Sequence, residues 1–94
     1  MRVIGLDILD DFRRRHTDVE EQVKAWIAEV KDARWSKPME VKERYPRASI
    51  LEDNRVLFRL KGNHYRLLAK ISYKSQIVRV EKAGTHAEYN RWKR

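Results

Sequence analysis

The chain has 94 residues, 41% hydrophobic and 38% charged, with a formal net charge of +8; this fits one small domain, residues 1–94, with a modest core. It contains no cysteine, which excludes disulfides, thiolate nucleophiles and cysteine-type zinc sites. No apolar run reaches membrane-spanning length and the first residues are not those of a signal peptide, so we expect a cytoplasmic protein.

The positive charge is concentrated in the second half of the chain. Residues 1–53 hold 11 Lys/Arg and 12 Asp/Glu, a net charge of −1, whereas residues 54–94 hold 11 and 2, a net charge of +9. A field of a single sign attracts polyanions, and nucleic acid is the usual polyanion in a cytoplasm. An acidic protein partner would satisfy the same field.

The first third of the chain predicts a short edge strand and a helical hairpin. Residues 2–4 form a β-like run, and helices are expected over about 7–16 and 18–32. Thr17 and Glu20 have the spacing of a capping box, with Thr17 as the N-cap of the second helix. The apolar stripe of that helix is predicted to cover a sheet and consists of Val19, Val23, Trp26, Ile27 and Val30.

Short elements are expected in the middle of the chain. Pro38 favours the first position of a helix that runs to Arg44. Pro46 ends this helix, because the residue before a proline avoids the helical region. A brief extended segment over 48–51 and a turn over 52–54 then lead into the longer strands.

Three strand-like runs follow, joined by turns at Gly62–Asn63 and Lys74–Ser75. The first turn, taken as a two-residue loop with positive φ at both residues, fixes the register of the sheet. One face is then apolar and carries Val56, Phe58, Leu60, Tyr65, Leu67, Ala69, Ile71, Tyr73, Val78 and Val80. The other face is mainly basic and carries Arg55, Leu57, Arg59, Lys61, His64, Arg66, Leu68, Lys70 and Arg79.

This register sets like charges opposite one another, for example Arg59 against Arg66, an arrangement that destabilises a sheet. A bound anion would explain why the sequence keeps it. The alternative is a solvated outer face whose long cationic side chains extend into water.

A second capping-box spacing, from Thr85 to Glu88, predicts a short helix that begins at His86 after Gly84 breaks the last strand. The unpaired N–H groups of a helix N-terminus suit a phosphate. They also disfavour a charged imidazole, which makes His86 a candidate for proton transfer. The alternative for this histidine is a helix-start residue hydrogen-bonded to the backbone.

Two further side chains are predicted to lie near His86. Tyr89 is one turn further on the same side of the helix, and the strand pairing places Arg66 opposite Ala83. Because the chain ends at Arg94, soon after Tyr89, no longer C-terminal helix is expected. No two histidines have metal-ligand spacing and carboxylates are scarce in the basic half, so no metal site is expected.

Four segments form a recognisable series: residues 32–35 (DARW), 54–58 (NRVLF), 61–67 (KGNHYRL) and 84–89 (GTHAEY). Together they resemble the HigB-type toxins of type II toxin–antitoxin systems, within the RelE superfamily of mRNA interferases. The resemblance implies an α+β, RelE-like fold with an N-terminal strand and a helical hairpin packed on an antiparallel sheet, followed by a short C-terminal helix.

The resemblance also implies metal-independent mRNA cleavage without a cofactor. The ribose 2′-hydroxyl attacks the adjacent phosphate and gives a 2′,3′-cyclic or 3′-phosphate and a 5′-hydroxyl. Arg66 matches a basic, catalytic family position and is assigned to the scissile phosphate. His86 and Tyr89 are assigned to proton transfer with acid and base roles open, Tyr89 alternatively stacking on a base. The residues expected to bind the RNA backbone are Arg55, Arg59, Lys61, His64, Lys70 and Arg79.

The partners implied by the resemblance are mRNA, in many members on the ribosome, and a neutralising helix-turn-helix antitoxin of the HigA type. Operator DNA would be contacted only through the toxin–antitoxin complex, and no membrane partner is expected. The residues alone leave two other classes open: a nucleic-acid-binding module without catalysis, and an interaction protein whose basic sheet docks an acidic partner.

Overall fold

The computed structural model describes residues 1–92 of the chain, and the elements follow the predicted order. The strands in this range are β1 (Arg2–Ile4), β2 (Ser49–Ile50), β3 (Arg55–Leu60), β4 (Tyr65–Ser72) and β5 (Ile77–Thr85). The helices are α1 (Leu6–Arg15), α2 (Glu20–Asp32), α3 (Pro38–Arg44) and α4 (His86–Trp92). The α+β class is confirmed, and the expectation about the chain end at Arg94 concerns residues outside the described range.

The sheet is mixed rather than purely antiparallel. Its strand order is β1-β5-β4-β3-β2, with antiparallel pairing from β2 to β5 and β1 added to β5 in parallel. Hairpin turns impose antiparallel pairing on β3, β4 and β5. Most of the chain separates β1 from β5, so no tight turn sets the direction of β1. As predicted, β1 is an edge strand.

One face of the sheet packs against α1 and α2 and forms the hydrophobic core. Trp26 of α2 is 1% exposed, and its ring meets that of Phe58 edge-on at a centroid distance of 5.3 Å. The predicted apolar face is confirmed, and Trp26 is a core residue as expected. The sheet residues in this core are Val56, Phe58, Leu60, Leu67, Ala69, Ile71, Val78 and Val80, with Tyr65 and Tyr73 partly buried against it.

Between β3 and β4, the strand register is the predicted one throughout. Between β4 and β5, it is the predicted one from Ala69 to the turn that joins the two strands. Arg59 lies opposite Arg66 between β3 and β4, and Lys70 lies opposite Arg79 between β4 and β5. The like-charge pairs inferred from the sequence are therefore real neighbours on one face of the sheet.

A β-bulge at Glu81 shifts the rest of β5 by one position. The predicted pairing holds as far as Ala69, beyond which the partner on β5 is one residue further along. Arg66 therefore lies opposite Gly84 rather than Ala83. A single extra residue in one strand causes this shift, and alternating hydrophobicity does not reveal it.

The loop between β3 and β4 also differs from the prediction. The His64 N–H donates to the Lys61 carbonyl at 3.2 Å, and positive φ occurs at Lys61 (48°) and Gly62 (66°) rather than at Gly62 and Asn63. The Lys61 N–H donates to the Gln22 side chain of α2 at 2.7 Å. This contact holds Lys61 in its left-handed conformation.

The expected capping box at the start of α2 does not form. Residues 17–19 make a 3₁₀ turn, α2 begins at Glu20, and no side chain caps it. The 3₁₀ turn buries Val19, and Asp18 accepts a hydrogen bond from Lys61 of the β3–β4 loop. Within residues 1–92, no helix has both the length and the apolarity needed to cross a membrane.

Replacing Gly5 with alanine is expected to destabilise the fold strongly. Gly5 precedes α1 with φ of 95°, and an added Cβ would lie 2.6 Å from the Val80 carbonyl oxygen of the sheet. The left-handed conformation costs about 1 kcal/mol, and the backbone clash adds roughly 1–3 kcal/mol. Gly62→Ala is the matched control, because its φ is 66° with nothing within 4 Å of the new atom. Urea unfolding of both variants measures the difference, and equal losses would contradict a close packing of the α1 start on β5.

Candidate functional site

The start of α4 is fixed by the predicted capping box. The Thr85 N–H donates to Glu88 Oε1 at 2.9 Å, and the Glu88 N–H donates to Thr85 Oγ1 at 3.1 Å. The backbone hydrogen bond from Thr85 holds the pKa of Glu88 below its ordinary value. The His86 N–H donates to the His64 carbonyl at 3.0 Å. Because the His86 and Glu88 amides are occupied, this helix end offers fewer N–H groups to a phosphate than expected.

Gly84 does not break the last strand, since β5 continues to Thr85. Its role is steric, because a Cβ at this position would lie 2.8 Å from Glu88 Oε1 and 3.1 Å from Trp92 Cζ2. The Lys82 ammonium lies 5.8 Å from the centre of the Trp92 ring. The glycine thus lets α4 turn back and cover one end of the basic face.

Arg66 lies beneath α4 and is the one charged residue buried within residues 1–92, with 5% of its surface exposed. Its Nη1 donates to Asn63 Oδ1 at 2.6 Å, and its guanidinium carbon lies 5.4 Å from the centre of the Tyr89 ring. Its buried Nε has no hydrogen-bond partner among the described residues. The structure therefore brings two predicted catalytic residues, Arg66 and Tyr89, into contact.

Neither arginine of the Arg59–Arg66 pair has a carboxylate partner within residues 1–92. The Arg59 guanidinium donates to the Arg47 carbonyl and to Ser49 Oγ, both at 2.7 Å. Burial, and secondly the charge of Arg59, lower the pKa of Arg66. An arginine nevertheless stays protonated in proteins. Two positive charges thus face each other at this end of the sheet, and a bound anion would relieve both their repulsion and the desolvation of Arg66.

His86 is exposed and lines an open cleft of about 540 Å³, and the lining of this cleft includes neither Arg59, Arg66 nor Tyr89. The cleft runs between the β3–β4 loop and the start of α4, and its lining includes Asn63, His64, Tyr65 and His86. Asn63 connects the cleft to Arg66 through its side-chain oxygen. Sequence reasoning did not identify Asn63, although an amide at a hairpin tip three residues before a buried arginine is a usable signal.

Three of the predicted RNA-binding cations, Arg55, Lys70 and Lys61, already have carboxylate partners. Arg55 Nε donates to Glu81 Oε1 at 2.6 Å, and its Nη1 donates to Asp53 Oδ2 at 2.8 Å. Lys70 donates to the same Asp53 oxygen at 3.2 Å. Hydrogen bonds from Lys70 and Arg55 lower the pKa of Asp53. The alternation that placed Arg79 on this face also places Glu81 there, and that signal was missed.

Lys61 does not belong to the basic face, contrary to the prediction. Its ammonium donates to Asp18 Oδ2 at 2.7 Å, and the Tyr65 hydroxyl donates to Asp18 Oδ1 at 2.8 Å. The side chain therefore turns towards the 3₁₀ turn before α2. The Arg79 side chain, in contrast, is exposed on the basic face and makes no hydrogen bond or ion pair with residues 1–92.

No group of three or more histidine, aspartate or glutamate side chains within residues 1–92 is arranged to hold a metal ion. The chemical groups available are the guanidinium groups of Arg66 and Arg59, the Tyr89 phenol against Arg66, and two imidazoles that line the cleft, which Asn63 connects to Arg66. Such a set can hold a phosphate and exchange protons with its oxygens.

In a comparison with protein-family models, a family model matches residues 19–92. The matching family is described as HigB_toxin, a RelE-like toxic component of a toxin-antitoxin system. The curated proteins include no match to this chain.

Proposed function

Because this chain belongs to the HigB family of RelE-like toxins, the toxic components of toxin–antitoxin systems, we propose that it is an endoribonuclease that cleaves mRNA. RelE-like toxins are generally mRNA-cleaving endoribonucleases. The proposed reaction needs no metal ion. The ribose 2′-hydroxyl attacks the neighbouring phosphorus, the bond to the 5′-oxygen breaks, and the products carry a 2′,3′-cyclic phosphate and a 5′-hydroxyl.

The observation that carries this proposal is the state of Arg66. An arginine that is 5% exposed, lies opposite another arginine and has a buried, unpartnered Nε is costly in a folded protein. A phosphate oxygen accepts hydrogen bonds from guanidinium groups and compensates their charge. The two arginines, Arg66 and Arg59, would therefore stabilise the negative charge that develops on the scissile phosphate.

Proton transfer is assigned to His86 and Tyr89. His86 and Tyr89 lie on α4, one at the cleft and the other against the Arg66 guanidinium. One group takes the proton of the 2′-hydroxyl and another returns a proton to the leaving 5′-oxygen. His64, which lines the cleft with His86, is proposed to bind the RNA next to the scissile bond.

The decisive experiment mixes purified protein with mRNA in EDTA, with and without ribosomes. Cleavage that leaves cyclic or 3′-phosphate ends supports the proposal, and the ribosome-free arm decides whether the ribosome is required. RNA binding without cleavage would instead identify a nucleic-acid-binding module. Absence of both binding and cleavage would favour a surface that docks an acidic protein.

Membership of this family implies an antitoxin partner. We assign this role to a helix-turn-helix protein of the HigA type, which neutralises the toxin in the cytoplasm and carries the complex to operator DNA. Co-expression with the neighbouring open reading frame tests this assignment. Rescue of growth and co-purification are expected, and growth arrest despite co-expression would contradict the choice of partner.

Replacing Asn63 with aspartate is expected to stabilise the fold and to weaken cleavage roughly tenfold or more. The new carboxylate would lie 2.6 Å from Arg66 Nη1, where Asn63 Oδ1 is now, and would compete with the substrate phosphate. Asn63→Ala is the matched control, because it removes the acceptor without adding charge. Cleavage rates and urea midpoints are measured for both. Full activity of Asn63→Asp would show that Arg66 does not hold the phosphate.

A further inference from the structure

A second basic cleft lies at the other end of the same sheet face. It has a volume of about 480 Å³ and is formed where the β4–β5 hairpin closes. Three cations line it: Lys70, Lys74 and Arg79. The β4–β5 pairing sets Lys70 beside Arg79, on the face that also carries Arg66.

The cations of this second cleft are incompletely neutralised. The side chains of Arg79 and Lys74 make no hydrogen bond or ion pair with residues 1–92. Lys70 shares Asp53 with Arg55 at 3.2 Å, and the Asp53 side chain is 65% exposed. One carboxylate is thus divided between two cations, and two further cations have none. The cleft carries a net positive charge that suits an anionic ligand.

An ion pair separates this cleft from the Arg66 site. Arg55 lies on β3 and Glu81 on β5, so their bond, 2.6 Å from Nε to Oε1, crosses over the central strand β4. Lys70 is four residues from Arg66 on β4, about 13 Å at the usual rise of a strand. In the middle of the face, Arg55 and Glu81 neutralise each other, so a negatively charged RNA backbone meets no unpaired positive charge there. Contact is therefore favourable at the two ends.

We propose that the Lys70–Lys74–Arg79 cleft is a separate binding site for the phosphodiester backbone of the RNA, away from the scissile bond. This inference rests on the proposed ribonuclease function. The substrate contacts the sheet at two places, with the Glu81–Arg55 bridge between them. The Arg66 end performs the chemistry, and the hairpin end supplies affinity for RNA that extends beyond the cleaved dinucleotide.

The test compares substrates of different length. In the double variant Lys74→Gln/Arg79→Gln, KM for a single-stranded RNA of about twenty nucleotides should rise roughly tenfold with kcat unchanged. Cleavage of a dinucleotide, which is too short to reach both ends of the face, should be unaffected. With a non-cleavable 2′-O-methyl strand, the slope of log Kd against log salt should fall by about 0.7 for each phosphate that the variant no longer binds.

The matched control is Lys24→Gln/Arg44→Gln, which removes the same charge from side chains paired with carboxylates on α2. It should leave both substrates and the salt slope unchanged. An unchanged KM for the long RNA in the test variant overturns the second site, as does an equal loss on long and short substrates. A parent chain that cleaves mRNA neither free nor on ribosomes instead overturns the ribonuclease proposal itself, so the two failures are distinguishable.

Discussion

Replacing Arg66 with methionine is expected to reduce RNA cleavage roughly 100- to 1,000-fold and to abolish growth arrest, while leaving the fold as stable as before or more so. The guanidinium is buried with an unpartnered Nε and faces Arg59. Methionine has a similar length and removes both the desolvated charge and the repulsion. An unsatisfied buried polar atom costs about 1 kcal/mol or more, so the urea midpoint should not fall.

Arg44→Met is the matched control for this substitution. It removes the same charge from an exposed arginine that pairs with Glu29 on the far side of the molecule, and it should keep full activity. Arg66→Lys separates charge from geometry, since lysine keeps the positive charge without the planar, two-pronged donor. A methionine variant that cleaves at the parental rate would remove Arg66 from the mechanism.

Replacing His86 with glutamine is expected to lower kcat by roughly 100- to 10,000-fold, the usual contribution of general acid–base catalysis. Glutamine retains hydrogen bonding but does not exchange protons near neutral pH. Because the variant lacks a side chain that can exchange the proton, it should also lose one limb of the pH–rate profile. The exposed position of His86 at the cleft predicts little change in stability.

His64→Gln is the informative comparison, because both histidines line the same cleft. If His64 only binds RNA, its variant should raise KM and retain both limbs of the profile. The opposite pattern, with a limb lost in the His64 variant and kept in the His86 variant, would exchange their roles. Unchanged profiles in both would assign proton transfer to another group.

The fold was largely predictable because its patterns are local. Alternation along β3 and β4 and one recognisable turn were enough to place Arg59 opposite Arg66. The bulge at Glu81 was not predictable, because an extra residue leaves the alternation on either side intact. The two capping-box spacings had opposite outcomes. Thr85 and Glu88 form both hydrogen bonds of the box, whereas Thr17 lies in a 3₁₀ turn and does not cap α2.

The site was less predictable, because partners come from distant elements. The sequence shows that Lys61 and Arg55 are cations near a turn and on a strand. It does not show that Asp18, from another part of the chain, pairs with Lys61. Nor does it show that Glu81 pairs with Arg55 across the intervening strand. Charge pattern gives the sign of a surface, and tertiary contacts decide which of its charges remain available to a ligand.

The parallel pairing of β1 with β5 has a consequence for synthesis. The first strand of the sheet finds its neighbour only after about seventy-five further residues have been translated, since Val3 lies beside Val78 (78 − 3 = 75). The helix that covers Arg66 follows later still. A nascent chain therefore has no assembled cleft until β5 and α4 have both been translated, and the cell is not exposed to the folded toxin before that point.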